Sequence, residues 1–392
     1  MSTAGAQPQR VVVKVGSSVL TDEGGRVVPA RVRELSGQLA KLIRAHRQVV
    51  LVSSGAIACG MELWGLKRRP AALPQLQACA ALGQSRLMRL YSEAFASHEL
   101  LVAQVLLTQD DLAQRGRRAN ARAALVALLQ RGVVPIVNEN DTVAVEEITF
   151  GDNDRLAALV APVVGAQLVI LLSDVEGFLK DGQLIERLSA SGAVDHGACH
   201  DPSTRHAHDA AGSGFRPGGL HGRKRQVTKG GMVSKLEAAR IAGHCGIPTV
   251  IASGLRPGVL EDLLAGKPVG TLCVPPDSRL SGRKWWMAFA LRRPHGELVI
   301  DPGATHAVAE QGRSVLASGI LKVRGRFAAG ACVSIVTADR RELARGVTNF
   351  SSAELARVRG LKSAEIAKLL GPTRGREAVH RDHLVLAREW RP

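Results

Sequence analysis

Two groups of polar side chains in the middle of the chain could bind a small polar substrate. The first, residues 138–141 (NEND), follows an apolar run at 133–137 that predicts a short buried strand. The second, residues 151–154 (GDND), precedes a helical pattern at 155–164. In open α/β sheets, ligands bind outside the carboxyl ends of the strands, where the first group would lie. Asn and Asp also cap helices, but a cap uses one such residue, so we interpret the two groups as a substrate site.

A lysine in the first predicted strand is a candidate for binding an anion. Lys14 lies within the apolar run VVVKV at 11–15, where an ammonium group is costly unless it meets a negative charge. Gly16, Ser17 and Ser18 follow directly, and their backbone N–H groups and hydroxyls could cradle a phosphate. The pattern therefore favours an anion, such as a phosphoryl group, at the end of this strand.

A second cationic segment, residues 229–235 (KGGMVSK), opens a predicted helix. Its paired glycines allow backbone N–H groups to approach a phosphate, the helix N-terminus favours negative charge, and Lys235 adds a cation. Two glycines before a helix are also compatible with an ordinary turn.

The apolar run 167–172 ends in Ser173 and Asp174, a further polar strand end beside a turn. No Gly-x-x-x-x-Gly-Lys-Ser/Thr motif occurs in the sequence, which excludes a P-loop enzyme.

Neither a nucleophilic serine nor a metal site is indicated. Ser54 follows the predicted strand 48–52, but the Gly-x-Ser-x-Gly elbow is absent and no triad partners are discernible. The six cysteines are scattered without a Cys-x-x-Cys pair, which argues against a zinc ribbon and a disulfide framework. We therefore interpret Ser54 as a substrate-binding hydroxyl, and no metal-ligating residue is assigned.

The composition is that of a soluble protein with an excess of positive charge. The 392 residues include 52 Lys or Arg and 35 Asp or Glu, a formal net charge of +17. Residues 281–392 hold 20 of the basic and 10 of the acidic residues. This excess could serve an anionic partner such as RNA, but the few aromatic residues leave little for base stacking, so we attribute most of it to solubility. Without a membrane-length apolar run or a signal-peptide core, we expect a cytoplasmic protein.

Strand-like and helix-like patterns alternate from residue 10 to residue 251. This alternation predicts an α/β fold with a mostly parallel open sheet sandwiched by helices. Beyond a segment rich in Gly and Pro, short β-like runs separated by Gly and Asp turns predict a small β-rich domain with a helix or two. We therefore predict a catalytic domain at 8–276, a linker at 277–296 and a β-rich domain at 297–378.

These segments together resemble the amino acid kinase family, followed by a PUA domain. The resemblance rests on stretches that span nearly the whole chain: VVVKVGSSVL, VSSGAIA, VPIVNENDTVA, GDNDRLAAL, GGMVSK, GELVIDPGATHAV and AVHRDHL. It implies ATP-dependent phosphorylation of the γ-carboxylate of L-glutamate, the first step of proline biosynthesis, with Mg²⁺ as cofactor. It also implies a homo-oligomer. PUA-type domains commonly occur in RNA-modifying proteins, so RNA is a further partner to test, whereas no membrane partner is expected.

The resemblance also implies roles for individual residues. The family's glutamate-binding positions fall on Ser54, Asp141 and Asn153. Its nucleotide-binding positions fall on the following residues: Lys14, Ser173, Asp174, Lys229, Gly230, Gly231, Met232, Val233, Ser234 and Lys235. Lys14 and Lys235 would flank the transferred phosphoryl group, and Asp154 would hold both lysines in place. Lys229 departs from the family pattern, which has a small hydroxylic residue at this position.

The residue types agree with this chemistry. A carboxylate that attacks ATP is already ionised at neutral pH and needs no general base. It does require two repelling anions to be neutralised and aligned, which lysines, glycine N–H groups and a metal ion can achieve. Two alternatives stay open: a family member that phosphorylates a different acidic substrate, and a member with a weakened ATP site whose basic C-terminal domain binds RNA.

Overall fold

The structure, a computed structural model, describes most of the chain in six segments: 9–144, 152–189, 230–277, 279–290, 294–370 and 377–390. The strands described before residue 277 are β1 (Arg10–Val15), β2 (Gln48–Ser53), β3 (Val102–Leu107), β4 (Val134–Glu139), β5 (Leu168–Ser173), β6 (Leu179–Lys180), β7 (Gln183–Leu184), β8 (Arg187–Ser189), β9 (Thr249–Ser253) and β10 (Thr271–Val274). The helices are α1 (Ser17–Leu20), α2 (Pro29–Arg44), α3 (Ala56–Leu63), α4 (Leu73–Ala96), α5 (Gln109–Ala113), α6 (Arg115–Gln130), α7 (Asp152–Val164), α8 (Gly230–Gly243) and α9 (Val259–Leu264). Within the described segments, every helix is too short or too polar to span a lipid bilayer.

Eight of these strands form one sheet with β1 near its centre. The strand order is β3-β4-β2-β1-β5-β9-β10-β8, and all neighbouring pairs except the antiparallel β9–β10 pair are parallel. The apolar central strands are covered on both faces, as is typical of parallel sheets. Because β1, β2, β4, β5 and β9 run in the same direction, their carboxyl ends lie at one edge. The predicted mostly parallel sheet between helices is thus confirmed.

Alternate residues of β1 face opposite layers of helices. Val11 and Val13 belong to the apolar core packed against α2 and α4, whereas Val12 belongs to the core formed with α7 and α8. Lys14 has the same parity as Val12, so its side chain leaves the strand on the face that carries α7 and α8. The pleat of the strand therefore directs this lysine toward the helices that begin at Asp152 and Gly230.

The segment predicted as a linker, 277–296, is helical over part of its length. It contains α10 (Gly282–Trp285) followed by a π-helical turn (Trp286–Ala290). Trp285 and Phe289 are buried in the same core as α7 and α8. This part of the predicted linker is instead a packed helix, because its aromatic side chains remove a large apolar area from water.

A second unit, rich in β-structure, follows this helical segment. Its strands are β11 (Glu297–Ile300), β12 (Val315–Leu316), β13 (Ile320–Arg324), β14 (Cys332–Val336), β15 (Glu342–Thr348) and β16 (Glu377–Leu386), and its α-helices are α11 (Pro302–Ala309), α12 (Ser352–Val358) and α13 (Ser363–Leu370). The sheet order β12-β16-β15-β14-β11-β13 contains one parallel pair, β11–β14. The unit has an apolar core of its own, which confirms the predicted β-rich region. Its last strand pairs with β12 and β15 and continues beyond the predicted boundary at 378, to residue 386.

Candidate active site

At the carboxyl edge of the first sheet, two lysines share one buried carboxylate. Lys14, near the end of β1, places its Nζ 2.5 Å from Asp154 Oδ1, and the Nζ of Lys235 in α8 lies 3.3 Å from Asp154 Oδ2. All three side chains are buried, with Asp154 only 1% exposed. The structure therefore brings together the three residues to which the resemblance assigns catalysis. Because one carboxylate neutralises only one ammonium group, the cluster carries a net positive charge.

Ser234 and the start of α8 hold this cluster in place. The Ser234 hydroxyl lies 2.8 Å from Asp154 Oδ2 and 2.9 Å from the Gly231 carbonyl oxygen. The Lys235 Nζ donates to the same carbonyl oxygen at 3.1 Å. Asp154 itself lies in the first turn of α7, where the helix dipole favours a negative charge. The carboxylate and the two lysines are thus oriented by the starts of two helices.

Burial and neighbouring charges act in opposite directions on these groups. Burial lowers the pKa of Lys14 and the nearby Lys235 lowers it further, while Asp154 opposes both effects. Burial alone would raise the pKa of Asp154, but Lys14 and Lys235 outweigh it and hold that pKa below its usual range. Two ammonium groups therefore compete for one ionised carboxylate, and an incoming anion would relieve this competition.

Asn153 lies where β2 and β4 end. Its Nδ2 atom is 3.2 Å from the Ser53 carbonyl oxygen, 3.1 Å from Ser54 Oγ and 3.1 Å from Asn138 Oδ1. Its Oδ1 atom is buried, and within the described part of the chain no group donates a hydrogen bond to it. Leaving a buried acceptor unpaired costs free energy, so this oxygen is available to a donor on a ligand. The predicted substrate residues Ser54 and Asn153 are in direct contact.

Two further buried residues, Asn138 of the predicted 138–141 group and Gln84, form a hydrogen-bonded chain that supports Asn153. Asn138 Nδ2 donates to Gln84 Oε1 at 2.9 Å, and both side chains are buried. Asn138 Oδ1 also accepts from the backbone N–H of Glu139 at 2.9 Å. Asn138 belongs to the polar group 138–141, which its position after an apolar strand predicts as part of a substrate site. Gln84 lies inside the long helix α4, where the sequence pattern does not distinguish a buried amide from a surface one.

Carboxylates cluster next to Asn153. Burial, followed by repulsion from Asp152 and Asp141, raises the pKa of Glu139 to about 8. Burial and Asp152 likewise raise the pKa of Asp141 to about 6, although Arg69 opposes the shift. Carboxylates with raised pKa values lack sufficient positive charge around them. A ligand that brings an ammonium group would favour their ionised forms, and Asp141 is the predicted substrate residue among them.

The residues predicted to bind nucleotide lie at the same edge of the sheet. Ser173 ends β5 and donates to Asp174 Oδ1 at 3.1 Å, and Asp174 is close enough to Lys14 to oppose, in small part, the lowering of the Lys14 pKa by burial. Residues 230–235 form the first turns of α8 and include the predicted Gly230, Gly231, Met232, Val233, Ser234 and Lys235. Lys229 lies outside the described residues. In the described segments, no three His, Cys, Asp or Glu side chains are grouped as a metal site.

Known proteins are similar in sequence to this chain over nearly its full length. Residues 9–253 match the amino acid kinase family, and residues 296–370 match the PUA domain. Glutamate 5-kinase of Pelobacter propionicus is 46% identical over 378 residues, which cover 96% of this chain and 97% of that protein. Glutamate 5-kinase of Thermus thermophilus is 46% identical over 385 residues, with 98% and 99% covered. Glutamate 5-kinase of a Geobacter species is 45% identical over 380 residues, with 96% and 97% covered.

The fold, the paired lysines and these matches define the class of protein. The chain belongs to the amino acid kinase family, whose members are phosphotransferases, and carries a C-terminal PUA domain. Within that family, its full-length relatives are glutamate 5-kinases, which confirms the resemblance found in the sequence stretches. The roles of individual residues stay predictions.

Proposed function

We propose that this protein transfers the γ-phosphoryl group of ATP to the γ-carboxylate of L-glutamate, yielding L-glutamyl 5-phosphate for proline biosynthesis. The observation that carries the proposal is the pair of lysines on one buried carboxylate, beside the Ser54–Asn153 contact. The relatives named glutamate 5-kinase support glutamate as the substrate, since they match the chain over nearly its whole length.

Lys14, Lys235 and Asp154 form the phosphoryl-transfer half of the site. In phosphoryl transfer, fixed cations stabilise the charge that spreads over the oxygens of the transferred group. The two lysines come from different elements and are oriented by Asp154 before ATP binds. When ATP binds, each lysine ammonium group exchanges part of its contact with the Asp154 carboxylate for contact with the γ-phosphate. Backbone N–H groups at the start of α8 can bind the remaining phosphate oxygens.

Ser54, Asn153 and Asp141 form the glutamate-binding half of the site. Asn153 Oδ1 can accept a hydrogen bond from the substrate's ammonium group, and Asp141 supplies the negative charge that this group requires. The Ser54 hydroxyl can donate to a carboxylate. With its ammonium group held at the acidic end, the substrate directs its γ-carboxylate toward the lysines. That carboxylate is already ionised at neutral pH, so it attacks without a general base.

Mg²⁺ and self-association complete the proposal. Mg²⁺ is usually held by one or two carboxylates together with substrate phosphates, and Asp174 beside Lys14 fits this donor set. When bound, the ion would neutralise part of the charge on the transferring phosphates.

The family resemblance also supports a homo-oligomer, which light scattering coupled to gel filtration would measure.

A hydroxamate assay tests the reaction. Purified protein with ATP, Mg²⁺, L-glutamate and hydroxylamine should form γ-glutamyl hydroxamate, because hydroxylamine traps the acyl phosphate. Lys235→Ala removes one of the two cations and should lower the rate on the order of 100-fold or more. A rate for the unaltered protein no higher than that of Lys235→Ala would refute the proposed function.

The choice of L-glutamate over another acidic substrate is tested in the same assay. L-Aspartate is one methylene shorter, so its side-chain carboxylate would fall short of the lysines once its ammonium group is bound. N-Acetyl-L-glutamate lacks the ammonium group that Asp141 and Asn153 are proposed to bind. Both compounds should react more slowly than L-glutamate. Faster turnover of either one would assign the protein to another acidic substrate.

A second candidate activity is RNA binding by the C-terminal PUA domain. Residues 281–392 carry 20 basic and 10 acidic side chains, and residues 296–370 match the PUA domain. Binding driven by phosphate contacts would weaken steeply as salt increases. The full-length protein should therefore shift a structured RNA in a gel at low salt and lose it at higher salt. The absence of a shift at low salt would exclude this activity.

A further inference from the structure

Arg155, which directly follows Asp154 in α7, is a buried charge outside the lysine cluster. Its side chain is largely shielded from water, and its guanidinium group joins three separate elements. Its Nε donates to Gln109 Oε1 at 2.8 Å, its Nη1 pairs with Glu237 Oε1 at 2.8 Å, and its Nη2 donates to the Phe289 carbonyl oxygen. A buried guanidinium group is costly unless its donors are satisfied, so these partners must be in place together.

Two parallel sets of contacts join α7 to α8. Asp154 binds Ser234, and Arg155 binds Glu237. Ser234 and Glu237 are three residues apart and therefore lie on one face of α8. The two contacts together fix both the rotation and the position of α8 relative to α7. Lys235 lies between these two anchor points, so its distance from Asp154 depends on both of them.

The third partner of Arg155 is held by the C-terminal unit. The Phe289 ring packs edge-on against Trp390, with 5.8 Å between ring centroids. The neighbouring carbonyl oxygen, that of Ala288, accepts a hydrogen bond from Arg345 of β15 at 3.0 Å. The Arg345 guanidinium also lies over the Trp390 ring, 4.6 Å from its centroid. The carbonyl that Arg155 uses is therefore fixed in place by residues beyond the catalytic sheet.

We propose that Arg155 is a positioning residue for phosphoryl transfer. It holds α8 against α7 and so keeps Lys235 at Asp154, and the π-helical turn before the C-terminal unit supplies one of the contacts that it needs. Arg155 acts through Lys235 and not by touching a substrate. This role rests on the proposed kinase activity for its kinetic readout, and it makes the contacts of Trp390 and Arg345 with the π-helical turn a determinant of kcat.

Steady-state kinetics of Arg155→Met provide the main test. The variant keeps a long side chain but removes every donor, and kcat should fall on the order of 10-fold or more, because small misplacements of a catalytic group cost rate. The KM for L-glutamate should change by less than about 3-fold, since ground-state binding of glutamate is left intact. Arg155→Lys reaches fewer partners and should restore only part of the rate. Arg324→Gln, which breaks the Arg324–Glu297 pair within the C-terminal sheet, should leave kcat unchanged.

Hydrogen–deuterium exchange gives a readout that does not depend on activity. Arg155→Met should speed amide exchange across α8, whereas Arg324→Gln should not. If the unaltered protein forms no hydroxamate, the proposed function fails, but exchange in α8 still tests Arg155. Should Arg155→Met not fold, Glu237→Gln can be used instead, because it weakens the Arg155–Glu237 pair at its half-exposed partner. Its effects on kcat and on exchange in α8 should have the same direction but be smaller. The role of Arg155 would be overturned if Arg155→Met left exchange in α8 or kcat unchanged. It would also be overturned if the KM for L-glutamate rose by the same factor as kcat fell.

Discussion

The two halves of the proposed active site shift the pKa values of their carboxylates in opposite directions. Asp154 has a pKa below its usual range, whereas the pKa of Asp141 is raised to about 6 and that of Glu139 to about 8. Burial acts in the same direction on all three carboxyl groups, since it disfavours their charged forms. The difference comes from their neighbours, which are lysines in one half and other carboxylates in the other.

This contrast explains how the site could orient its substrate. Glutamate carries an ammonium group and a carboxylate on its α-carbon, and the reacting γ-carboxylate at the other end. The acidic half lacks positive charge and the lysine half has an excess of it, so one orientation of the substrate satisfies both halves. The reversed orientation would place the γ-carboxylate against the acidic half, where like charges repel, and would leave the ammonium group without a carboxylate partner from that half. Charge polarity would thus orient the substrate before any group reacts.

The largest effect is expected from removing the carboxylate of the lysine half. Asp154→Asn leaves two buried ammonium groups without a counter-charge, and kcat should fall on the order of 100-fold or more. Asp262 offers a matched control, because it lies between Lys267 at 2.7 Å and Arg256 at 3.0 Å but at the surface. Asp262→Asn should change kcat by less than about 2-fold, since exposed ion pairs contribute little. Similar losses in both variants would show that burial between lysines is not what makes Asp154 important.

A smaller effect, on binding, is expected in the acidic half. Asp141→Asn keeps the shape of the side chain but removes the charge that is proposed to pair with the substrate's ammonium group. A hydrogen bond to a charged group contributes about 1.5–3 kcal/mol, so the KM for L-glutamate should rise on the order of 10-fold or more. The KM for ATP serves as the internal control and should stay the same. A rise in the KM for ATP without a rise in the KM for L-glutamate would show that Asp141 contributes to ATP binding and not to glutamate binding.

The sequence motifs indicate which residues the proposed site would contain better than they indicate how those residues are arranged. The apolar run around Lys14 and the helical start before Lys235 were sufficient to predict two cations, and the strand pleat explains the direction of Lys14. Their meeting at Asp154 depends on packing between segments more than 80 residues apart in the chain, which local patterns do not specify. The prediction that Lys14, Lys235 and Asp154 act together comes from the family resemblance and not from their spacing in the sequence.

Residues that act from behind the site were harder to predict. Gln84 was overlooked because a polar residue in a long amphipathic helix is usually a surface residue. The aromatic residues of the π-helical turn at 286–290 fall within the predicted linker, because they follow directly on a segment rich in Gly and Pro. Burial of these side chains against α7 and α8 becomes visible only in the folded chain.

The pH dependence of stability should distinguish the acidic half. Carboxyl groups with raised pKa values in the folded state stabilise the fold below their unfolded pKa, and this contribution is lost as pH rises through the folded values near 6 and 8. An ammonium group from L-glutamate should offset that loss. The increase in Tm on adding L-glutamate should therefore grow between about pH 5.5 and about pH 8.5. The double variant Asp141→Asn, Glu139→Gln should flatten the trend, and an equally steep trend in it would assign the titration to other groups.

The smallest effect is expected at Gln84, which reaches the site through two side chains. Gln84→Met removes the acceptor of the Asn138 amide, and an unpaired buried donor costs about 1–3 kcal/mol of stability. Because Asn138 in turn contacts Asn153, the KM for L-glutamate should rise by about 2- to 5-fold, a fraction of a full hydrogen bond. The KM for ATP should not follow, since the lysine half is held by α7 and α8. A parallel rise in both KM values would mean that Gln84 helps to position both halves of the site. The contrast in their pKa shifts would then not reflect separate binding of the two substrates.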